Sequence, residues 1–222
     1  MVLSSYASTS VEDVAKVATT PVWFQLYVYR DRGFTRDLVQ RAQSAGCRAL
    51  ALLPIVSDGG AEPPRSFQFR AASGARLSEF EGSGQAQNRR GIGSLCDNCT
   101  WKDVEWQRSF SNGPILLKGI LDPDHVEKAV KSGASGIIVS NHGGRNLDTV
   151  PATIDALPRV TDRVEGRVPV LMDGGIRSGT DYSKPWPTAR ARSLSVVRIC
   201  MASPSREMPA SLALSELSKT NL

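Results

Sequence analysis

Pro114-Ile115-Leu116-Leu117-Lys118-Gly119 is followed by Asp122-Pro123 and a stretch running to Ser132-Gly133, and then by Gly136-Ile137-Ile138-Val139-Ser140. The first and last runs are apolar throughout and short, which is the pattern of strands buried on both faces. The stretch between them opens with an N-capping Asp and a Pro at its first position and closes on Gly, which predicts a helix. Strand, helix and strand of this kind form one parallel β/α unit.

The same alternation extends in both directions. Upstream, Pro21 to Tyr29 is rich in aromatic and β-branched residues and reads as a strand. Thr35 to Ala45 places Leu38, Val39 and Ala42 on one helical face and stops at Gly46, and Arg48 to Leu53 is the next apolar run. Downstream, Val168 to Asp173 is a further strand of the same type. The fold class expected is α/β with a parallel sheet, in which chemistry gathers at the carboxyl ends of the strands. Polar residues fall at those ends each time: Gln25 with Tyr27, Lys118, Ser140 with His142, and Asp173.

Two segments depart from the pattern. Residues 54–94 carry a Pro-Pro pair and many Gly and Ser without either period, and read as a long irregular loop. Residues 182–222 mix Ser, Pro and Arg where another β/α unit is expected. They read as an atypical basic tail, disordered or out of frame, with Ala210 to Leu217 weakly helical.

Composition narrows the function classes. Hydrophobic residues make up 41% and charged residues 22%, ordinary proportions for a globular domain with one core. The net charge of +5 is mostly a property of residues 182–222, which hold 6 Lys/Arg against 2 Asp/Glu; residues 1–181 hold 21 against 20. Aromatic residues do not interleave with that basic excess, so a nucleic-acid partner is not expected. No apolar run reaches the roughly 18 residues of a membrane span, and no basic-then-apolar leader opens the chain. A cytoplasmic location is the expectation. Cys47, Cys96, Cys99 and Cys200 do not suggest a disulfide framework. Cys96-Asp97-Asn98-Cys99 is an isolated Cys-x-x-Cys with no second pair, so no metal site is expected.

Ser140-Asn141-His142-Gly143-Gly144-Arg145 carries the most chemical information. A histidine just past a buried strand can act as a base near neutrality. Two glycines allow a tight turn, and Arg145 offers a planar fork for a carboxylate. Base and clamp together suit proton abstraction from a small organic acid. By composition alone the stretch equally suits a polar loop with a helix-capping histidine. Asp173-Gly174-Gly175-Ile176-Arg177 reads either as a phosphate cradle or as a structural turn. Lys118, ending an Ile/Leu strand, either snorkels to solvent or faces a ligand.

Five stretches, in order, resemble the FMN-dependent 2-hydroxy-acid oxidases and dehydrogenases, a family that includes glycolate oxidase, lactate oxidase and the flavin-linked lactate and mandelate dehydrogenases. They are Leu3-Ser4-Ser5-Tyr6-Ala7, Trp23 to Arg32, Leu116 to Ile120, Ser140 to Arg145, and Asp173 to Arg177. The resemblance covers roughly residues 1–53 and 95–181. It implies a TIM (β/α)8 barrel, here partial: about six of eight strands, lacking the first and last, within residues 1–181. It also implies FMN at the carboxyl mouth and oxidation of a small L-2-hydroxy acid to the 2-keto acid.

By that resemblance His142 is the catalytic base, Arg145 holds the substrate carboxylate and Tyr27 assists substrate binding. Ser4, Gln25 and Ser140 bond the flavin, Lys118 stabilises its anionic reduced ring, and Asp173, Gly174, Gly175, Ile176 and Arg177 hold the ribityl phosphate region. Electrons then pass to oxygen, a quinone or a cytochrome, and a homo-oligomer is possible.

The chain also departs from the family. It opens at what resembles the second barrel strand. Leu53-Pro54-Ile55 stands where the family carries Thr-Val-Asp, an Asp that pairs with the catalytic histidine. After Asp181 the text no longer follows the family, and residues 54–76 and 182–222 are expected to be frame-shifted patches, a point the coding DNA tests. A barrel lacking two strands has unpaired edges, so poor solubility and weak or no flavin binding are expected. The alternative reading is a non-catalytic remnant of the same family that keeps His142 and Arg145 but no longer binds FMN.

Overall fold

The computed structural model describes residues 1–7, 9–53, 95–96, 99–144, 149–176 and the backbone of 194–196. Within these residues seven strands form one sheet, ordered β1 to β7 in chain order with every neighbouring pair parallel. The strands are β1 (Val2–Ser4), β2 (Trp23–Tyr27), β3 (Ala49–Leu53), β4 (Ile115–Lys118), β5 (Gly136–Val139), β6 (Val170–Met172) and β7 (Leu194–Val196). Helices α1 (Val11–Val17), α2 (Arg32–Ser44), α3 (Trp101–Arg108), α4 (Asp124–Lys131) and α5 (Thr153–Val164) occupy the crossovers. The five apolar runs read from sequence are β2 to β6, and β1 adds the sixth strand of the half-barrel that the family resemblance implies. The seventh lies inside the segment read from sequence as a tail, where Leu194 to Val196 pair with Val170 to Met172.

Alternation along the strands sorts the side chains into two sets. Phe24, Leu26, Leu50, Leu52, Ile115, Leu117, Ile137, Val139, Val170 and Met172 join the large core with helix residues such as Leu38, Val126, Leu157 and Val160. Val2, Ala49, Ala51, Leu116, Ile138 and Leu171, with Trp23 against them, form a second, smaller cluster on the opposite face, the concave lumen. Gln25 and Tyr27 lie two and four residues after Trp23, so they share its lumen face. Because the strands run parallel, their carboxyl ends all open at one mouth.

Local chemistry explains the helix boundaries. The α2 helix begins three residues before the position that periodicity indicates, because the Asp31 side chain accepts from the Phe34 N–H at 2.9 Å and starts the turn at Arg32. Asp122 accepts from the Asp124 N–H at 3.0 Å, which starts α4 just past Pro123. The α3 helix has little amphipathic pattern; Asp103 fixes its start by accepting from the Thr100 N–H at 2.6 Å. Pro158 inside α5 hides that helix from propensity, yet Ala156, Leu157, Val160 and Val164 still pack inward. Among the described residues no helix is long and apolar enough to cross a membrane.

Candidate active site

The mouth is polar on a floor that is apolar. Lys118 ends β4 and is 2% exposed, although it follows three aliphatic residues. Its ammonium meets three groups: Ser140 Oγ at 2.9 Å, Asp173 Oδ2 at 3.2 Å and His142 Nδ1 at 3.5 Å. Three acceptors match the three protons of an ammonium group. Burial pushes Lys118 below the ordinary lysine range, and the Asp173 carboxylate beside it opposes that shift.

His142 is placed by backbone geometry. The Asn141 Oδ1 accepts from the Gly143 N–H at 3.0 Å, the Gly144 N–H reaches the Asn141 carbonyl at 3.0 Å, and Ser140 Oγ accepts from the His142 N–H at 3.1 Å. His142 itself takes a left-handed conformation, φ +55°, followed by Gly143 at +70° and Gly144 at +68°. A non-glycine residue at positive φ is uncommon, and such strain concentrates at functional sites. The turn aims the ring back across the mouth, where Nε2 lies 3.1 Å from the Tyr27 hydroxyl, 115 residues away in sequence.

With an ammonium against Nδ1, the favoured tautomer carries its proton on Nε2 and donates it to Tyr27. Base action at Nε2 therefore requires Lys118 to give its third proton to another acceptor. The 3.5 Å contact is the longest of the three and the first to yield.

The β1–β2 side of the mouth differs. Ser4 and Gln25 are register partners, and both are buried. Ser4 Oγ accepts from the Tyr6 N–H at 3.1 Å. Both amide atoms of Gln25 are buried and have no hydrogen-bond partner among the described residues, although the residue is 0% exposed. A buried, unsatisfied amide costs about 1–3 kcal/mol, so this group fits a ligand edge that presents both a donor and an acceptor. Tyr6 packs edge-on against Tyr27, with ring centroids 5.0 Å apart. Its hydroxyl is held above the usual phenol range by burial.

Beyond β6, Gly174 and Gly175 adopt φ of +93° and +73°. A Cβ on Gly174 would lie 3.2 Å from Thr153 Oγ1, so this glycine serves both the turn and the close approach of α5. Ile176 packs on the main core, which gives it a structural contact. Arg145, Arg177 and Ile55 lie outside the described residues. Of the residues singled out from sequence, Tyr27, Lys118, Ser140, His142 and Asp173 form one bonded network. Ser4 and Gln25 stand on the neighbouring strands of the same mouth. Sequence reasoning did not single out Asn141 or Tyr6, although an Asn two residues before a glycine is a recognisable side-chain turn signal.

Comparison with known proteins agrees with this geometry. The profile of the FMN-dependent dehydrogenase family matches residues 1–186. A 2-hydroxyacid oxidase of Dictyostelium discoideum is 45% identical over 193 residues, covering 83% of this chain and 49% of the relative. Glycolate oxidase 3 of Arabidopsis thaliana is 44% identical over 194 residues, covering 83% and 53%. The L-lactate dehydrogenase of Alcaligenes faecalis is 39% identical over 210 residues, covering 81% and 55%. Among solved structures, a lactate oxidase of Pediococcus acidilactici superposes with a TM-score of 0.71 at 30% identity, covering 88% of this chain and 53% of that one. A mandelate oxidase bound to (S)-2-phenylpropionate gives 0.68 at 34% identity, covering 88% and 54%. The chain spans about half the length of the curated relatives it matches. A half-barrel with a histidine, lysine and tyrosine meeting at its carboxyl mouth and a profile match over most of its length leave one assignment: the chain belongs to the FMN-dependent dehydrogenase family.

Proposed function

We propose that the chain oxidises a small L-2-hydroxy acid to its 2-keto acid at the mouth formed by Tyr27, Lys118, Ser140, His142 and Asp173. The observation that supports this most directly is the contact of His142 with Tyr27 on one side and Lys118 on the other. A base, a phenol and a buried cation converge there.

FMN is the cofactor that fits. The Gln25 amide, without a partner among the described residues, accommodates a heterocyclic edge with alternating donors and acceptors, and the buried Lys118 ammonium suits a group that gains negative charge. Gln25, Ser4, Ser140 and Lys118 would hold its ring, with Asp173, Gly174 and Gly175 toward its phosphate side. When bound, FMN supplies the hydride acceptor.

The residues of the chain do the rest. Tyr27 hydrogen-bonds the substrate and keeps the His142 ring turned into the mouth. His142 removes the hydroxyl proton through Nε2, and by the family resemblance Arg145 would hold the substrate carboxylate. Asp173 opposes the downward pull that burial exerts on the Lys118 ammonium. A proton on Nε2 after turnover is stabilised by the Tyr27 oxygen. Oxygen, a quinone or a cytochrome then takes the electrons.

The test is the visible spectrum of the purified chain with added FMN, before and after anaerobic addition of L-lactate or glycolate. Bound-flavin bands that bleach on substrate support the reading. A chain that takes up FMN without bleaching, or that takes up none, overturns it in favour of a non-catalytic remnant of the family.

A further inference from the structure

Beside the mouth lies a pair of groups that the proposed chemistry does not use. Cys96 and Cys99 are 5% and 2% exposed, and they are joined as a disulfide with their Cα atoms 5.7 Å apart. The Cys96 N–H donates to the Val28 carbonyl at 2.8 Å, and Leu95 forms an antiparallel bridge with Tyr29. The cysteine segment is therefore stitched to the two residues that follow Tyr27. Cys96 and Cys99 also line a small void together with Tyr27, Val28, Leu53 and Leu95. Cys99 directly precedes Thr100, the N-cap of α3, and α3 is clamped to α2 by the Arg32–Asp103 ion pair and by Arg32 lying 4.7 Å over the Trp106 ring. A bond between the two sulfurs thus ties the Tyr27 end of β2 to an anchored helix start.

Two other uses of the pair are weaker. Asp103 lies with the two sulfurs in a group whose ligand atoms are within 4.8 Å of one another. Its oxygens, however, are already engaged by Arg32 and by the Thr100 N–H, and no fourth ligand joins the group among the described residues. A purely structural staple is also a poor account. The sequence separation is 3, and a loop that short removes little freedom from the unfolded chain. A reversible redox role suits the short spacing and the position better.

We propose that Cys96 and Cys99 are a dithiol–disulfide pair whose oxidation by hydrogen peroxide stiffens the Tyr27 end of β2 and so changes how tightly the mouth holds its small acid. The sulfur chemistry stands independently; the effect on acid binding rests on the proposed function. One cysteine sulfur attacks a peroxide oxygen, the O–O bond breaks, and a sulfenic acid and water form. The second thiol attacks the sulfenic sulfur, the S–S bond forms, and the hydroxyl leaves as a second water. Two thiols and one peroxide become one disulfide and two waters; the sulfurs lose two electrons and the peroxide gains them. A dithiol such as dithiothreitol reverses the reaction by exchange. Because both sulfurs are buried, a reagent as small as peroxide is expected to react where a bulky aromatic disulfide is not.

The experiment uses the full chain, reduced and desalted, with and without a modest excess of hydrogen peroxide. Peptide mass mapping reads the sulfur state. Amide hydrogen exchange reads the peptide containing Tyr27 to Tyr29, and equilibrium titration with pyruvate reads acid binding. Oxidation should remove two hydrogens from the peptide holding Cys96 and Cys99 and slow exchange through Val28 and Tyr29. It should also shift the pyruvate Kd about fivefold, the low end of coupling between linked sites. The C99S single variant should form no disulfide and show no peroxide-linked slowing of exchange at Val28 and Tyr29, and the C96S/C99S double variant should show neither that slowing nor a change in pyruvate Kd. Absence of the two-hydrogen loss, unchanged exchange after oxidation, or an identical pyruvate Kd in the two states each overturns the proposal. If exchange slows on oxidation but pyruvate binds neither state, the redox pair stands and the proposed function fails.

Discussion

The two flanks of the mouth solve the problem of buried polarity in opposite ways. On the β4–β6 flank, Lys118, Ser140, His142 and Asp173 satisfy one another at 2.9–3.5 Å. On the β1–β2 flank, Gln25 is just as buried and its amide has no partner among the described residues. Among the described residues, one flank satisfies its own polar groups and the other leaves an amide open. Under the proposed function, the difference would separate reacting machinery, which needs fixed geometry, from a binding surface, which gains affinity by leaving its own groups unsatisfied.

The sharpest way to break this contrast is to remove the reacting group from the complete flank. If FMN and substrate bind as proposed, H142N should lower turnover by about 10²–10⁴-fold, the usual contribution of a positioned base. FMN uptake should be almost unchanged, because no flank other than its own loses a partner. Steady-state rates beside a flavin titration check this; loss of flavin together with activity would mean that His142 organises the site and does not merely react in it.

Next in size is the buried pair. D173N leaves the Lys118 ammonium buried without its counter-charge, and breaking such a pair typically costs about 3–5 kcal/mol. K118M/D173L removes both charges and should recover much of that loss, since a buried ion pair adds little net stability over apolar packing. Denaturant unfolding of the three chains measures it. If D173N melts with the unmodified protein, the pair is not the fixed anchor that its 3.2 Å separation indicates.

The incomplete flank predicts the reverse sign. Q25L removes an unsatisfied amide, so the flavin-free chain should gain about 1–3 kcal/mol. The same change should weaken FMN uptake by a comparable free energy. A variant that loses stability in the absence of flavin would show that Gln25 already has a partner in solution.

How much of this was legible in the sequence follows from the same physics. The helix-facing core was readable because each strand is a short apolar run, and the runs at 21–29, 48–53, 114–119, 136–140 and 168–173 became β2 to β6. The α3 and α5 helices were not readable, because α3 depends on the Asp103 contact to Thr100 and α5 runs through Pro158. The strand at Leu194–Val196 is three residues set among Ser and Arg, too short to show a period. In the site, residue type and strand-end position pointed to Lys118, Ser140, His142 and Asp173. The Tyr27–His142 contact was not derivable from spacing, since only the parallel register brings residues 115 positions apart to one mouth. The left-handed turn at His142 was equally hidden, because nothing in a histidine's identity specifies positive φ.

The smallest effect sharpens the comparison through pH. Burial holds Lys118 below its unfolded value of 10.5. Between its folded and unfolded pKa the unfolded chain binds more protons, so this residue makes stability rise with pH across that window and stop rising above 10.5. Tyr29 and Tyr6 act with the opposite sign: burial raises both phenols above the ordinary tyrosine value of 10.0, so the stability they confer is intact below that pH and lost as pH climbs past it. Stability measured on the acid side of pH 10.0 therefore carries the contribution of the lysine without that of these two phenols. The unmodified chain should gain stability over that range relative to K118M, whose curve lacks the term. Parallel curves would mean that Asp173 fully offsets the burial of Lys118, and that the complete flank carries its charge at no cost to folding.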